Sequence, residues 1–90
     1  MKTDKSLDNW RKQIDALDEA LLSLLAKRMD IVRKIGAHKK QNGLPARDQK
    51  RWNTLLAKLL SIAKDNGINP NLVKKIWNAI HEQALIYETI

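Results

Sequence analysis

The sequence predicts an all-α fold of three helices, with a very long first helix, in a chain that dimerises. Three observations lead to this prediction. Apolar residues recur at helical spacing through most of the 90 residues, strand-like alternation is absent, and Asn-Gly pairs at 42–43 and 66–67 separate three segments. The chain is expected to form one domain, 1–90, small enough that a partner chain often supplies missing burial.

Helix 1 is predicted from Leu7 to Gln41, with Ser6 or Asp8 as its N-cap and Asn42-Gly43 as its stop. Such a helix reaches about 50 Å, which exceeds the width of a globule of this size, so it should protrude and require a partner. Its apolar positions fall within about a third of a turn, and they are Trp10, Ile14, Leu17, Leu21, Leu24, Leu25, Val32 and Ile35.

Two shorter helices follow. The second begins near Asp48 and ends at Asn66-Gly67, and the third opens with Asn69-Pro70, a cap followed by the residue favoured at the first helical position. Their apolar sides, which should be buried, are Leu55, Leu56, Leu59, Ile62 and Ala63 in the second helix and Val73, Ile76, Trp77, Ile80 and Ala84 in the third.

Two cations lie inside the apolar stripe of helix 1. Arg28 and Lys39 are 39 − 28 = 11 residues apart, so they should share one face with about 16 Å between their Cα atoms. A buried guanidinium requires a carboxylate or a bound anion. In one interpretation Arg28 pairs with Glu82 or Asp48 and Lys39 extends to water. Two cations on one stripe, with Arg51 also available, favour an anion pocket instead.

Arg11 is a further candidate cation that cannot reach the same small ligand from the same chain. It lies 28 − 11 = 17 residues from Arg28, which corresponds to about 25 Å along a helix. An antiparallel second copy would bring its own Arg11 near this chain's Arg28. The sequence therefore predicts a homodimer with shared sites.

The segments "WRKQIDALDEALLSLLAKRMDIVRKIGAHKK", "LPARDQKR" and "IHEQALIYE" resemble the all-helical, AroQ-class chorismate mutases over nearly the whole chain. The resemblance implies an intertwined homodimer with two active sites. It also implies the rearrangement of chorismate to prephenate in aromatic amino acid biosynthesis, without a metal or cofactor. By match, Arg28 and Arg11 of the partner subunit would bind the two carboxylates of chorismate, a small dianion. Lys39 would donate to the ether oxygen, and Asp48 and Arg51 would close the site around the ring.

Three positions depart from the family pattern. Glu88 stands where many members have glutamine as a second donor to the ether oxygen. A carboxyl group donates only when protonated, so activity should be higher at acidic pH. Alternatively, Glu88 is frayed and solvated near the chain end. Trp52 replaces a glutamate that accepts a hydrogen bond from the ring hydroxyl, and an indole has no acceptor. Ala84 replaces a small polar residue. The expected catalytic residues are thus Arg28, Lys39, Glu88 and Arg11, and Asp48, Arg51, Trp52 and Ala84 complete the substrate-binding set.

Trp52 leaves other substrates open. It is either a packing residue at the pocket edge or a sign of altered substrate choice, so isochorismate-pyruvate lyase and aminodeoxychorismate mutase are alternatives on the same fold. An alternative of another class is a non-enzymatic basic helical module that binds nucleic acid or a partner helix, because 17 Lys and Arg against 10 Asp and Glu give a net charge of +7. The tryptophans lie at apolar-periodic positions, so a base-stacking surface is not evident and no nucleic-acid partner is expected.

Other functional classes are excluded by composition. The chain has no cysteine, and the N-terminal "MKTDKSLDNW" has no apolar signal core, so we expect no disulfide, no membrane association and a cytoplasmic location. His38 and His81 lack metal-ligand spacing and should lie at exposed or rim positions, so no metal site is expected. The chain would be a free-standing catalyst or part of a longer protein.

Overall fold

The computed structural model describes residues 4–89, which form three helices and no strand. The helices are α1 (Lys5–Gln41), α2 (Gln49–Asp65) and α3 (Pro70–Thr89). The predicted all-α fold of three helices is therefore confirmed. Among the described residues, no helix combines the length and apolar character needed to cross a membrane.

The start of α1 differs from the prediction. Asp4, not Ser6 or Asp8, caps the helix, because its Oδ1 accepts a hydrogen bond from the backbone N–H of Leu7 at 3.0 Å. This bond satisfies one of the backbone donors left free at a helix start. The helix accordingly begins at Lys5, two residues before the predicted Leu7.

The other helix ends match their predicted signals. Asp48 caps α2 by accepting from the N–H of Arg51 at 3.0 Å, and the side chain of Asn69 accepts from the N–H of Asn71 at 2.8 Å. Gly43 and Gly67 have φ values of 63° and 67°, the left-handed conformation that ends α1 and α2. The N–H that follows each glycine bonds back to the helix, at 2.8 Å in both cases.

The chain divides into two compact units, the first ending at Ile31 and the second beginning at Val32. In the second unit α2 packs against α3. The buried apolar side chains of this unit are small, namely Val32, Ala63, Val73 and Ala84. The predicted buried sides are only partly buried, since Ile62 is 47% exposed and Ile76 is 42% exposed.

The first unit exposes most of the predicted apolar stripe of α1. Trp10, Ile14, Leu17, Leu21 and Leu24 are between 55% and 64% exposed, whereas Met29 is 9% exposed. Their predicted burial is therefore not met within one chain. A contiguous exposed apolar surface of this kind is typical of a protein–protein interface.

Candidate active site

An ion pair joins the end of α1 to the end of α3. Nζ of Lys39 donates a hydrogen bond to Oε1 of Glu88 at 3.0 Å and another to the carbonyl oxygen of Ala46 at 2.7 Å. The side chains of Lys39 and Glu88 are only 19% and 12% exposed. Two alternatives are thus wrong: Lys39 does not extend to water, and Glu88 is not frayed and solvated. An ammonium group has three donors, so one of them remains for a ligand.

The loop between α1 and α2 brings its backbone to this ion pair. Ala46 supplies the carbonyl that fixes Lys39, and Asp48 follows two residues later as the cap of α2. Asp48 therefore orients the first turn of α2, on which Arg51 and Trp52 lie. Arg51 is exposed, so its guanidinium lies at the surface of the second unit.

One face of α3 carries three of the residues around this region. His81, Ala84 and Glu88 are separated by 84 − 81 = 3 and 88 − 84 = 4 residues, the spacing of neighbours on a helix face. The ring of Trp52 stacks on His81 with centroids 4.1 Å apart and an interplanar angle of 16°. Both rings are half-buried and Ala84 is buried. This contact supports the interpretation of Trp52 as a packing residue. The stacking partner is His81, which was expected at an exposed or rim position.

Arg28 has a buried guanidinium nitrogen. Its Nη1 atom is buried and has no hydrogen-bond partner among residues 4–89. The alternative in which Glu82 or Asp48 satisfies Arg28 does not hold for this nitrogen. A buried, unsatisfied donor on a cation is costly, and a bound anion would remove that cost.

The expected site residues fall into two groups. Lys39, Asp48, Arg51, Trp52, Ala84 and Glu88 all lie in the second unit, whereas Arg11 and Arg28 lie in the first. Within the second unit, Lys39 is in direct contact with Glu88. Arg11 is exposed in the single chain.

Sequence reasoning missed two contributors to this region. The carbonyl of Ala46 is one, and no side-chain pattern could reveal a backbone acceptor. His81 is the other, although its position three residues before Ala84 on the predicted apolar side of helix 3 indicated that it faces the same way. Near the ion pair, the guanidinium carbon of Arg33 also lies 4.4 Å from the ring centroid of Tyr87.

Comparison with known proteins identifies the family. The sequence profile of chorismate mutase type II matches residues 10–89, which is nearly the whole chain. The chain belongs to the chorismate mutase type II family. The match includes every expected site residue from Arg11 to Glu88 and confirms the resemblance to the all-helical chorismate mutases.

Relatives of this chorismate mutase family member include longer proteins. The bifunctional chorismate mutase/prephenate dehydratase of Buchnera aphidicola is 33% identical over 86 residues, and the chain spans only 22% of its length. The chorismate mutase of Methanocaldococcus jannaschii is 29% identical, with 90% of this chain and 84% of that protein covered. The 4-amino-4-deoxychorismate mutase of Streptomyces pristinaespiralis is 32% identical, with 82% of this chain and 57% of that protein covered.

A solved structure shares the fold. A conserved hypothetical protein from Pyrococcus furiosus superposes with a TM-score of 0.72 at 30% sequence identity, covering 96% of this chain and 99% of that one. The three-helix arrangement therefore occurs in a protein of nearly the same length.

Proposed function

We propose that this chain is a chorismate mutase that rearranges chorismate to prephenate. The observation that carries the proposal is the buried, unpartnered Nη1 of Arg28 in a chain of this family. Chorismate is a compact dicarboxylate, so each of its carboxylates can accept hydrogen bonds from a guanidinium group. We propose that Arg28 binds one carboxylate and that Arg11 of the partner subunit binds the other.

The rearrangement requires positioning rather than covalent catalysis. One C–O bond breaks and one C–C bond forms within the same molecule, so no nucleophile, leaving group or external proton takes part. The protein must hold the side chain of the substrate over its ring and stabilise the charge that develops on the ether oxygen. The ammonium of Lys39, fixed by Ala46 and Glu88, is the proposed donor to that oxygen.

A protonated Glu88 is the proposed second donor to the ether oxygen, because a carboxyl group can donate only with its proton in place. Glu88→Gln is expected to remove this requirement, since an amide always donates and its oxygen still accepts from Lys39. The ratio of kcat/KM for Glu88→Gln to that of the unsubstituted protein should rise as the pH increases. Steady-state rates across the pH range measure it, with the exposed Glu82→Gln as the matched control. A ratio that does not change with pH contradicts this role of Glu88.

We propose that two copies assemble through the stripe of α1. The exposed apolar side chains from Trp10 to Leu24 supply the surface, and burial of apolar surface favours association by about 25 cal/mol per Å². Antiparallel pairing of this segment would bring Arg11 of the partner subunit to Arg28. This is the intertwined homodimer that the family resemblance implies.

A charge introduced on the stripe should break the dimer. Leu17 is 63% exposed in the single chain, and Leu17→Glu would bury a carboxylate in the proposed interface. Sedimentation equilibrium should show a dimer for the unsubstituted chain and a shift toward monomer or unfolded protein for the variant. Ser23→Glu introduces the same charge on an exposed position away from the stripe and should leave the dimer intact. A dimer that resists Leu17→Glu would place the interface elsewhere.

A second candidate substrate is 4-amino-4-deoxychorismate. It is favoured by the similarity to the 4-amino-4-deoxychorismate mutase of Streptomyces pristinaespiralis. The test is a side-by-side assay of chorismate, isochorismate and 4-amino-4-deoxychorismate, with the products separated by chromatography. Prephenate from chorismate as the fastest reaction supports the proposal. Salicylate and pyruvate from isochorismate as the main products would overturn it.

The cytoplasmic location stays a prediction.

A further inference from the structure

Gly36 lies where the last part of α1 touches the backbone of α3. A Cβ at this position would lie 2.9 Å from the Cα of Glu88 and 3.2 Å from the carbonyl oxygen of Tyr87. Both of these atoms belong to the backbone, so no side-chain rotation can relieve either contact. Only glycine therefore allows the two helices to come this close.

The residues on either side of this contact depend on the same approach. Arg33, Gly36 and Lys39 recur at a spacing of three residues and lie on neighbouring positions of one side of α1. The guanidinium of Arg33 lies over the ring of Tyr87 at 4.4 Å, and Nζ of Lys39 reaches Glu88 at 3.0 Å. Three contacts between α1 and α3 therefore follow one another along α1: Arg33 with Tyr87, Gly36 with the backbone at Glu88, and Lys39 with Glu88. Gly36 is the middle one.

We infer that Gly36 is a positioning residue that sets the depth at which α3 meets α1 and thereby aligns Lys39 and Glu88 for catalysis. This inference rests on the proposed function. A methyl group at position 36 must displace the backbone of α3 near Glu88. The ammonium of Lys39 is held independently by the carbonyl of Ala46, so it cannot simply follow the displaced carboxyl group. Lys39 and Glu88, the two donors proposed for the ether oxygen, would then no longer point at the same atom of the substrate.

Gly36→Ala is the variant that tests this role. An alanine in a helix interior normally increases stability relative to glycine, so a loss of function cannot be attributed to helix propensity. Small displacements of catalytic groups reduce turnover strongly, and we expect kcat to fall by about 10- to 100-fold with little change in KM. Ala37→Ser adds one atom to an exposed neighbour on the same helix and should change neither constant. An unchanged kcat for Gly36→Ala overturns the inference.

A second measurement does not depend on turnover. The coupling between Lys39 and Glu88 can be measured by urea unfolding of Lys39→Met, Glu88→Met and the double variant, since methionine neither donates to nor accepts from the partner side chain, first with Gly36 present and then combined with Gly36→Ala. We expect coupling in the first set and its loss in the second, and equal coupling in both sets overturns the inference. If the unsubstituted chain turns over no chorismate but the coupling is lost as expected, the proposed function fails while the positioning role stands. If Gly36→Ala is unfolded in buffer, the cycle is run in trimethylamine oxide, which favours compact states. A variant that stays unfolded there also overturns the inference, since Gly36 would then serve folding alone.

Discussion

Arg28→Ala is expected to lower kcat/KM for chorismate by about 10²- to 10³-fold, the loss typical of removing a fixed donor to a charged group in an active site. The reason is the buried Nη1 atom, which has no hydrogen-bond partner among residues 4–89 and is therefore available to a carboxylate. Steady-state kinetics on chorismate measure the loss. Circular dichroism should show an intact helical fold, because the substitution removes a costly unsatisfied group.

Two controls sharpen this test. Lys27→Ala removes a cation from the adjacent, exposed position of α1 and should leave kcat/KM unchanged. Arg28→Lys keeps the charge but loses the two-pronged geometry with which a guanidinium binds a carboxylate, so it should recover only part of the activity. Full activity in a folded Arg28→Ala variant would remove Arg28 from the site.

Mixing two inactive variants is expected to restore activity. In the proposed dimer each site takes Arg28 from one copy and Arg11 from the other, so Arg11→Ala and Arg28→Ala each damage both sites of their own dimer. A mixed dimer holds one intact site and one doubly damaged site. Random exchange of equal amounts makes half of the dimers mixed, which restores about one quarter of the normal site concentration.

The experiment requires unfolding and refolding the two variants together, with each variant refolded alone as the control. Activity near one quarter of the unsubstituted level supports a shared site. A mixture no more active than the separate variants means that Arg11 and Arg28 serve the same chain or different functions. Arg11 is exposed in the single chain, so its substitution should not disturb the fold of that chain.

The helix boundaries were largely predictable because local chemistry decides them. Gly43 and Gly67 end their helices because they adopt positive φ at little cost, and Asp48 and Asn69 begin the next helices as side-chain caps. The start of α1 was not predictable in detail. Three cap-type residues occur within positions 4–8, and the sequence alone does not determine which of them bonds to a free N–H.

Tertiary partners were harder to predict than helix boundaries. The sequence placed Lys39 on the apolar stripe of α1, but its partner Glu88 lies 49 residues away, on a helix whose orientation the pattern does not give. The stack of Trp52 on His81 was missed for the same reason. The backbone contact at Gly36 requires the crossing point of two helices, which depends on packing and not on periodicity.

The most direct measurement is a crystal structure of the chain with an unreactive dicarboxylate that mimics the folded form of chorismate. We expect two interlocked copies and two occupied sites. In each site the guanidinium groups of Arg28 and of Arg11 of the partner subunit should bind the two carboxylates, and Lys39 should point at the ether oxygen. A single copy holding the ligand alone, or a ligand bound with Arg28 turned to water, would contradict the proposed shared site.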